Sequence, residues 1–187
     1  MDPGRRSRGG CPRRAALARR IDDCAHLTGS FRLRSGALSG EYFDKYLFEA
    51  DPALLRDVAV EVAGLLPAEV DAVAGLELGG VPLATMVSQL TGLPARFVRK
   101  QAKTYGTFRL AEGGEISGLR VAVIEDVVTS GGQVVESVGA LRDAGATIAA
   151  VVCVIDRQAG GPANLAAVGV DLRSVFTAAE LAEAASA

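Results

Sequence analysis

Two short, uninterrupted apolar runs constrain the fold of this chain more than any other feature. They cover residues 121–124 (VAVI) and 151–155 (VVCVI). A strand that is covered by helices on both faces of a parallel sheet is apolar throughout, whereas a strand with one face in water alternates apolar and polar residues. Both runs are therefore predicted to be central strands of a mostly parallel sheet.

After Asp51 the chain alternates between helical and strand patterns. Asp51 and Pro52 suit the N-cap and the first position of a helix, because apolar residues then recur at helical spacing. Further helices are predicted over residues 81–90, 133–144 and 162–168, and strands over residues 70–76, 95–98, 121–124, 148–155 and 172–176. This order predicts an α/β fold in which helices flank a mostly parallel central sheet.

The composition limits the classes of function. A length of 187 residues with 49% hydrophobic content suits one domain with a sizeable core. A net charge of -2 gives no general attraction to nucleic acid or to a membrane surface, so any phosphate binding must be local. No apolar run approaches the ~20 residues that span a bilayer. Cys11, Cys24 and Cys153 include no CxxC pair, which favours a reducing, cytoplasmic location.

Two segments depart from the alternating pattern. Residues 1–20 carry seven arginines opposed only by Asp2, in a frame broken by glycine and proline, and are predicted to form a disordered extension. A single domain would then cover residues 21–187. Residues 101–118 are polar and contain glycine, and a connection of this length inside a compact domain predicts a mobile loop over a functional site.

The sharpest chemical signal is the segment VAVIEDVVTSGGQ at residues 121–133. Here a buried strand leads into two acids, a Thr/Ser/Gly turn and a helix. The N-terminus of a helix carries unpaired amides and a partial positive charge, so the backbone of residues 130–133 can hold a phosphate. Glu125 and Asp126 can accept hydrogen bonds from a ribose diol or hold water on Mg²⁺. The alternative is a turn that only caps the helix, with solvated acids.

This segment resembles the phosphoribosyl pyrophosphate (PRPP) signature of the type I phosphoribosyltransferases. The resemblance implies that the paired acids face the ribose and that the turn holds the 5-phosphate through Val127, Val128, Thr129, Ser130, Gly131, Gly132 and Gln133. Gln133 departs from the signature, which usually ends in a small hydroxyl residue. Other segments from Gly29 to the end of the chain narrow the resemblance to the orotate branch of the family.

The segment FRLRSG at residues 31–36 is similar to the N-terminal hood of that branch. The resemblance implies a hood over about residues 21–50, in which Arg34, Tyr42 and Phe43 flank orotate. The alternative is a hairpin whose aromatic residues belong to the core.

The segment GLELGGVPLA at residues 75–84 resembles the pyrophosphate loop of the family. The amides of Gly79 and Gly80 would face the diphosphate, since glycine permits close approach of the backbone. Many bacterial members have lysine in place of Gly79, so that cation is missing here. A turn that serves helix packing is the alternative.

The segment RKQAKTYGT at residues 99–107 resembles the basic loop of the family, in which Arg99, Lys100, Lys103 and Tyr105 would contact the phosphates. Cations placed where charge develops help pyrophosphate to leave, and loop closure excludes water. Tyr105 stands where many relatives have histidine and is a poor proton donor at neutral pH, so only a phosphate contact is expected of it. A solvated loop is the alternative.

Arg157 follows a predicted central strand, beside the expected position of Thr129. A guanidinium group binds carboxylates through two parallel hydrogen bonds, and the resemblance places Arg157 and Thr129 on the orotate side of the site. A surface ion pair between Asp156 and Arg157 is the alternative.

The resemblance as a whole implies Mg²⁺-dependent transfer of ribose 5-phosphate from PRPP to orotate, a step of UMP biosynthesis. Glu125, Asp126 and Lys103 would be the catalytic residues, with Mg²⁺ held mainly by substrate and water near the two acids. It also implies a homodimer in which the basic loop of one subunit closes over the site of the other. Two other functions stay open, namely another purine or pyrimidine phosphoribosyltransferase and a non-catalytic regulator with the same fold.

Overall fold

The computed structural model describes residues 12–32, 36–100 and 110–186. The elements in chain order are α1 (Pro12–Ala25), β1 (His26–Arg32), β2 (Leu38–Phe43), α2 (Lys45–Ala50), α3 (Pro52–Gly64), β3 (Ala72–Leu76), α4 (Gly80–Thr91), β4 (Ala95–Val98), β5 (Ala111–Glu112), β6 (Arg120–Val128), α5 (Gly132–Asp143), β7 (Thr147–Asp156), α6 (Gly161–Ala167), β8 (Leu172–Thr177) and α7 (Ala178–Ala185).

Six strands form the main sheet in the order β5-β4-β3-β6-β7-β8. Neighbouring strands in the series β4-β3-β6-β7-β8 pair in parallel. Strand β5, at the edge of the sheet, is antiparallel to β4. The two apolar runs of the sequence lie in β6 and β7, each of which has a neighbour on both sides. The predicted α/β fold with a mostly parallel central sheet is confirmed.

The two faces of β6 explain why its apolar run is continuous. Ile124 packs into one core cluster with α1, α2, α3, α4 and α7, whereas Val123 packs into a second cluster with α5 and α6. Every side chain of the run is therefore removed from water, whichever face it points to. In the described part of the chain, no helix has both the length and the apolar character needed to cross a membrane.

The order of the strands brings several loops to one edge of the sheet. The chain passes from β3 to β4 on one side, and β6 then pairs with the other side of β3. Ligands of open parallel sheets bind outside the carboxyl ends of the strands at such a reversal. Residues 77–80, 99–100, 129–133 and 157 follow β3, β4, β6 and β7, so they share that edge.

The N-terminal part of the chain packs as a hood against this framework. Strands β1 and β2 form a separate antiparallel pair, and α1 and α2 flank it. The predicted disordered extension is wrong for residues 12–20, which belong to α1. Leu17, Ala18 and Ile21 are 5%, 2% and 0% exposed, because their helical spacing places them together against the core. Residues 1–11 lie outside the described residues.

The C-terminal part of the predicted mobile loop over residues 101–118 is attached to the sheet. Ala111 and Glu112 form β5 and pair with Val98 and Phe97 of β4, and Ile116 is 4% exposed in the second core cluster. Ala111 and Ile116 are the buried apolar residues of this part of the segment. Residues 101–109 lie outside the described residues.

Candidate active site

The turn after β6 has the backbone geometry of an anion-binding site. Gly131 is the N-cap of α5 at φ +77°, and no side chain caps this helix. Thr129 and Ser130 are exposed, so the alternative in which they cap the helix is not what forms. The Asn164 side chain donates a hydrogen bond of 2.8 Å to the Ser130 carbonyl and steadies the turn. The first amides of α5 are thus open to an anion.

Gln133 contributes its backbone to this turn rather than its side chain. Its Nε2 donates to Glu136 Oε2 at 3.3 Å, along the exposed face of α5. The side chain is thereby directed toward its own helix. The amide of Gln133 belongs to the first turn of α5, where amide groups have no partner within the helix.

The two acids at the end of β6 are not solvated surface residues. Asp126 is 0% exposed, and its Oδ1 accepts from the Val127 amide at 2.5 Å. Its Oδ2 lies 2.6 Å from Lys45 Nζ. Glu125 Oε1 accepts from the Asp126 amide at 3.2 Å. Both carboxyl groups are therefore held by backbone amides at the carboxyl end of a central strand, and Asp126 is also held by Lys45.

Helix α2 adds two titratable residues that the sequence motifs did not identify, Lys45 and Glu49. Glu49 is 7% exposed and lies in the same acidic cluster as Asp126. The signal available in the sequence was the i, i+4 spacing of a lysine and a glutamate directly after the hood aromatics, Tyr42 and Phe43. Such pairs are common on exposed helix faces, so the spacing alone did not single them out.

Burial and mutual proximity separate the pKa values of this cluster. Burial foremost, and then the neighbouring Asp126, raises the pKa of Glu49 and of Glu125 to about 9. Burial alone would raise the pKa of Asp126 as well, but hydrogen bonds with Glu125 and Lys45 outweigh it and hold that pKa below its ordinary value. Asp126, beside the Lys45 ammonium, is therefore the member of this cluster that most favours the ionised form.

The turn between β3 and α4 approaches β6 as closely as glycine permits. A Cβ at Gly80 would lie 2.3 Å from the Ile124 carbonyl oxygen. A Cβ at Gly79 would lie 1.7 Å from Asp126 Oδ2 and 2.8 Å from Glu49 Oε1. A lysine at position 79 would thus collide with the Asp126 carboxylate in this arrangement. The predicted diphosphate turn and the acid pair are in direct contact.

The start of the basic segment is held at the same edge. The Arg99 amide donates to the Leu110 carbonyl at 2.9 Å, and the Lys100 amide donates to Glu77 Oε2 at 3.1 Å. Arg99 and Lys100 therefore follow β4 next to the diphosphate turn. Lys103 and Tyr105, for which phosphate contacts are predicted, lie outside the described residues.

A cavity of about 670 Å³ separates the hood from the end of β7. Tyr42, Phe43 and Arg157, three of the residues predicted to bind orotate, line it together. Phe43 also packs against the core, as the alternative interpretation of the hood aromatics expected. The Arg157 amide donates to the Val128 carbonyl at 2.8 Å, which places Arg157 beside Thr129. Arg34 lies outside the described residues.

Two further details complete this side of the site. Asp156 Oδ1 accepts from the Gln158 amide at 2.8 Å, so this carboxylate is engaged with the backbone of its own turn. His26 also lines the cavity, with its ring nitrogens 3.5 Å from Asp22 Oδ1 and 3.4 Å from Glu41 Oε2. The lining of the cavity thus includes polar side chains of α1, β1 and β2, namely Asp22, His26 and Glu41.

The donor set suits a Mg²⁺ ion shared with substrate. Among the described residues, no cluster of three or more His, Cys, Asp or Glu side chains could hold a metal ion. Glu125 and Asp126 offer carboxylate oxygens at the edge where the phosphate turn and the diphosphate turn meet. Mg²⁺ commonly uses one or two carboxylates and takes its other ligands from substrate phosphates and water.

A family model for the phosphoribosyl transferase domain matches residues 49–182. The chain belongs to the phosphoribosyltransferase family, and the prediction of an enzyme of this class is confirmed. Its curated relatives place it in the orotate branch. The chain is 59% identical over 167 residues to the orotate phosphoribosyltransferase of Nocardioides sp., covering 89% of this chain and 93% of the relative. It is 44% identical to that of Halobacterium salinarum, covering 83% and 89%.

Solved structures agree with this placement. The orotate phosphoribosyltransferase of Mycobacterium tuberculosis in complex with inorganic phosphate has a TM-score of 0.82 at 30% identity, covering 92% of this chain and 99% of that one. The same enzyme in complex with PRPP has a TM-score of 0.79, also at 30% identity, covering 91% and 99%. An adenine phosphoribosyltransferase from Rhodothermus marinus, at 18% identity and a TM-score of 0.67, covers 87% and 99% and shares the fold alone.

Proposed function

We propose that this protein transfers ribose 5-phosphate from PRPP to orotate and releases orotidine 5-phosphate and pyrophosphate. The observation that supports the proposal most strongly is that four structural features suited to binding lie together at the carboxyl edge of the sheet. They are the open amides after Gly131, the acid pair at the end of β6, the glycine turn before α4, and Arg157 in the cavity beneath the hood. Each suits a different part of the two substrates.

The sugar phosphate is assigned to the half of the site around β6. The 5-phosphate would sit on the amides of residues 130–133, since a helix N-terminus favours an anion. Glu125 and Asp126 would accept from the ribose hydroxyls. The diphosphate would lie at Gly79 and Gly80. The positive charges of Arg99, Lys100 and Lys103 beside them suit a leaving polyanion. Tyr105 would add a phosphate contact.

Orotate is assigned to the cavity beneath the hood. Its carboxylate would pair with Arg157, whose planar guanidinium offers two parallel donors, and Thr129 would lie next to it. The rings of Tyr42 and Phe43, with Arg34, would flank the base. Fold alone does not select the base, because an adenine phosphoribosyltransferase shares the architecture.

In the reaction, the bond between the anomeric carbon of PRPP and the diphosphate oxygen breaks, and its electron pair leaves with pyrophosphate. A ring nitrogen of orotate, already deprotonated, donates a lone pair to the same carbon. The residues of the chain bind the two substrates in line, exclude water and stabilise the departing charge. Mg²⁺, when bound near Glu125 and Asp126, supplies further positive charge for the diphosphate.

We place the enzyme in the cytoplasm, in keeping with the free thiols of Cys24 and Cys153.

Orotate absorbance tests the proposal directly. Orotate should be consumed only when PRPP and Mg²⁺ are both present, while adenine, hypoxanthine and uracil should give little or no product. Efficient use of one of those bases in place of orotate would identify a different phosphoribosyltransferase. Binding of PRPP without turnover of any base would favour the non-catalytic regulator.

We further propose that the enzyme is a homodimer with two shared active sites. The resemblance to the orotate phosphoribosyltransferases supports this assembly, in which Lys103 of one subunit would serve the site of the other. A two-fold dimer makes both sites equivalent.

Two impaired variants test the sharing of sites, at an orotate concentration low enough that Arg157→Ala alone has little activity. In a mixed dimer of Lys103→Ala and Arg157→Ala subunits, one site carries both defects and the other carries neither. Random pairing makes half of the dimers mixed, so activity should recover to roughly a quarter of wild type. Absence of recovery, with subunit exchange demonstrated independently, would place Lys103 in the site of its own subunit.

A further inference from the structure

Lys45 joins the hood to the sugar-phosphate half of the site. It lies on α2, directly after the hood aromatics, and its Nζ is 2.6 Å from Asp126 Oδ2 at the end of β6. The Lys45 side chain is 32% exposed and the Asp126 side chain is 0% exposed. The ammonium group therefore covers the acid from the side of the hood while keeping some access to solvent.

The position of Asp126 makes this contact consequential for substrate. Its Oδ2 occupies the space in which a side chain at position 79 would begin, 1.7 Å from the Cβ position. The carboxylate thus lies against the turn whose amides are proposed to receive the diphosphate. Like charges repel strongly where water is excluded, so a lone carboxylate at this point would oppose diphosphate binding. Lys45 offsets that charge without occupying the turn.

We propose that Lys45 is a positioning residue of the PRPP site, which fixes the Asp126 carboxylate and offsets its charge beside the diphosphate. The inference rests on the proposed function, since PRPP is the ligand. It gives the hood a part in binding the sugar phosphate as well as the base. Lys45 acts through Asp126, so its effect should depend on the Asp126 charge.

Calorimetric titration with PRPP and Mg²⁺ compares two replacements of Lys45. Lys45→Met removes the charge and keeps most of the length, and it should raise the dissociation constant of PRPP about tenfold. Lys45→Arg keeps the charge and should stay within about threefold of wild type. The KM for orotate should change less than the affinity for PRPP in both variants.

A double-mutant cycle separates action through Asp126 from direct contact with substrate. In an Asp126→Asn background, Lys45→Met should change PRPP affinity by no more than about twofold, because the charge to be offset is gone. Equal weakening in both backgrounds would mean that Lys45 contacts PRPP itself, and would overturn the inference. So would unchanged affinity of Lys45→Met in the wild-type background.

Two controls keep the result interpretable. Thermal unfolding is compared for all variants, and Lys45→Gln replaces Lys45→Met if the latter does not fold. Failure of the wild-type protein to bind PRPP would overturn the proposed function. Tight binding by wild type and by the neutral Lys45 variants alike would overturn only the role of Lys45.

Discussion

The phosphate turn and the hood supply the same site in different ways. The turn at residues 129–133 is made of neighbours in sequence and offers backbone amides, with Gly131 at φ +77° opening the helix. The hood, made of α1, β1, β2 and α2, reaches the site from the N-terminal part of the chain and offers side chains, among them Tyr42, Phe43 and Lys45. Backbone donors tolerate changes of side chain, whereas a side-chain contact is lost with a single substitution. The two regions should therefore respond differently to mutation.

The largest effect is expected at the acids that face both regions. Asp126→Asn removes the charge that is proposed to face the sugar and should lower kcat/KM by about 10²-fold or more. Glu125→Gln should act in the same direction. Steady-state kinetics with orotate and PRPP measure the loss, and circular dichroism should show an unchanged fold. Unchanged orotate turnover in both variants would contradict the assignment of the acid pair.

Arg157→Ala should produce the next largest effect, confined to the base beneath the hood. Loss of a charged hydrogen-bond partner is worth about 1.5–3 kcal/mol, which should appear as a higher KM for orotate. The KM for PRPP should change little, because the phosphate turn is untouched. Substrate-dependence curves for each ligand test this. A collapse of PRPP binding instead would show that Arg157 belongs to the sugar-phosphate half.

The phosphate turn itself should be sensitive only where its backbone conformation demands glycine. Gly131→Ala places a side chain at positive φ and should lower the free energy of unfolding by about 1 kcal/mol. Gly139→Ala is a matched control on the same helix, at an open position in its interior, and should raise stability by about 0.5–1 kcal/mol. Urea denaturation compares the two. Equal effects of both variants would mean that the turn is not held in its left-handed conformation.

The smallest effect concerns the anchoring of the N-terminal helix. Arg14 Nη2 lies 2.9 Å from Glu180 Oε1, and the Thr177 amide donates to Glu180 Oε2 at 2.7 Å. Burial by itself would raise the pKa of Glu180, but the hydrogen bonds with Thr177 and Arg14 outweigh it and lower this pKa in the folded state. A depressed pKa contributes stability that is present above the unfolded pKa and lost as pH falls through the folded pKa.

Glu180→Gln should therefore cost at most about 1 kcal/mol at pH 7, since solvent screens this partly exposed pair. The difference from wild type should shrink as pH falls through the folded pKa of Glu180. Urea midpoints measured at neutral and acidic pH, at low and high salt, test both statements. A difference that persists at acidic pH would assign the effect to packing rather than to charge.

Much of the fold followed from local patterns. The apolar runs at residues 121–124 and 151–155 identified two central strands, and the helix boundaries after Asp51 agree closely with the structure. The acid–turn–helix segment was recognisable because strand, carboxylates and helix N-terminus follow one another within thirteen residues. The interpretation of the first 20 residues failed from residue 12 onward, because the helical spacing of Leu17, Ala18 and Ile21 buries them against the core despite the neighbouring arginines.

The sequence by itself determined the parallel sheet, the phosphate turn and the acid pair, since backbone preference and hydrophobic period act between near neighbours. Only the tertiary structure decided that Lys45 meets Asp126, that Glu49 is buried beside it, and that Asp126 fills the space next to Gly79. These contacts join segments that are distant in the chain, and an isolated lysine or glutamate carries no local mark of its partner. Packing of the hood onto the sheet brings them together and removes the water that would otherwise weaken their interaction.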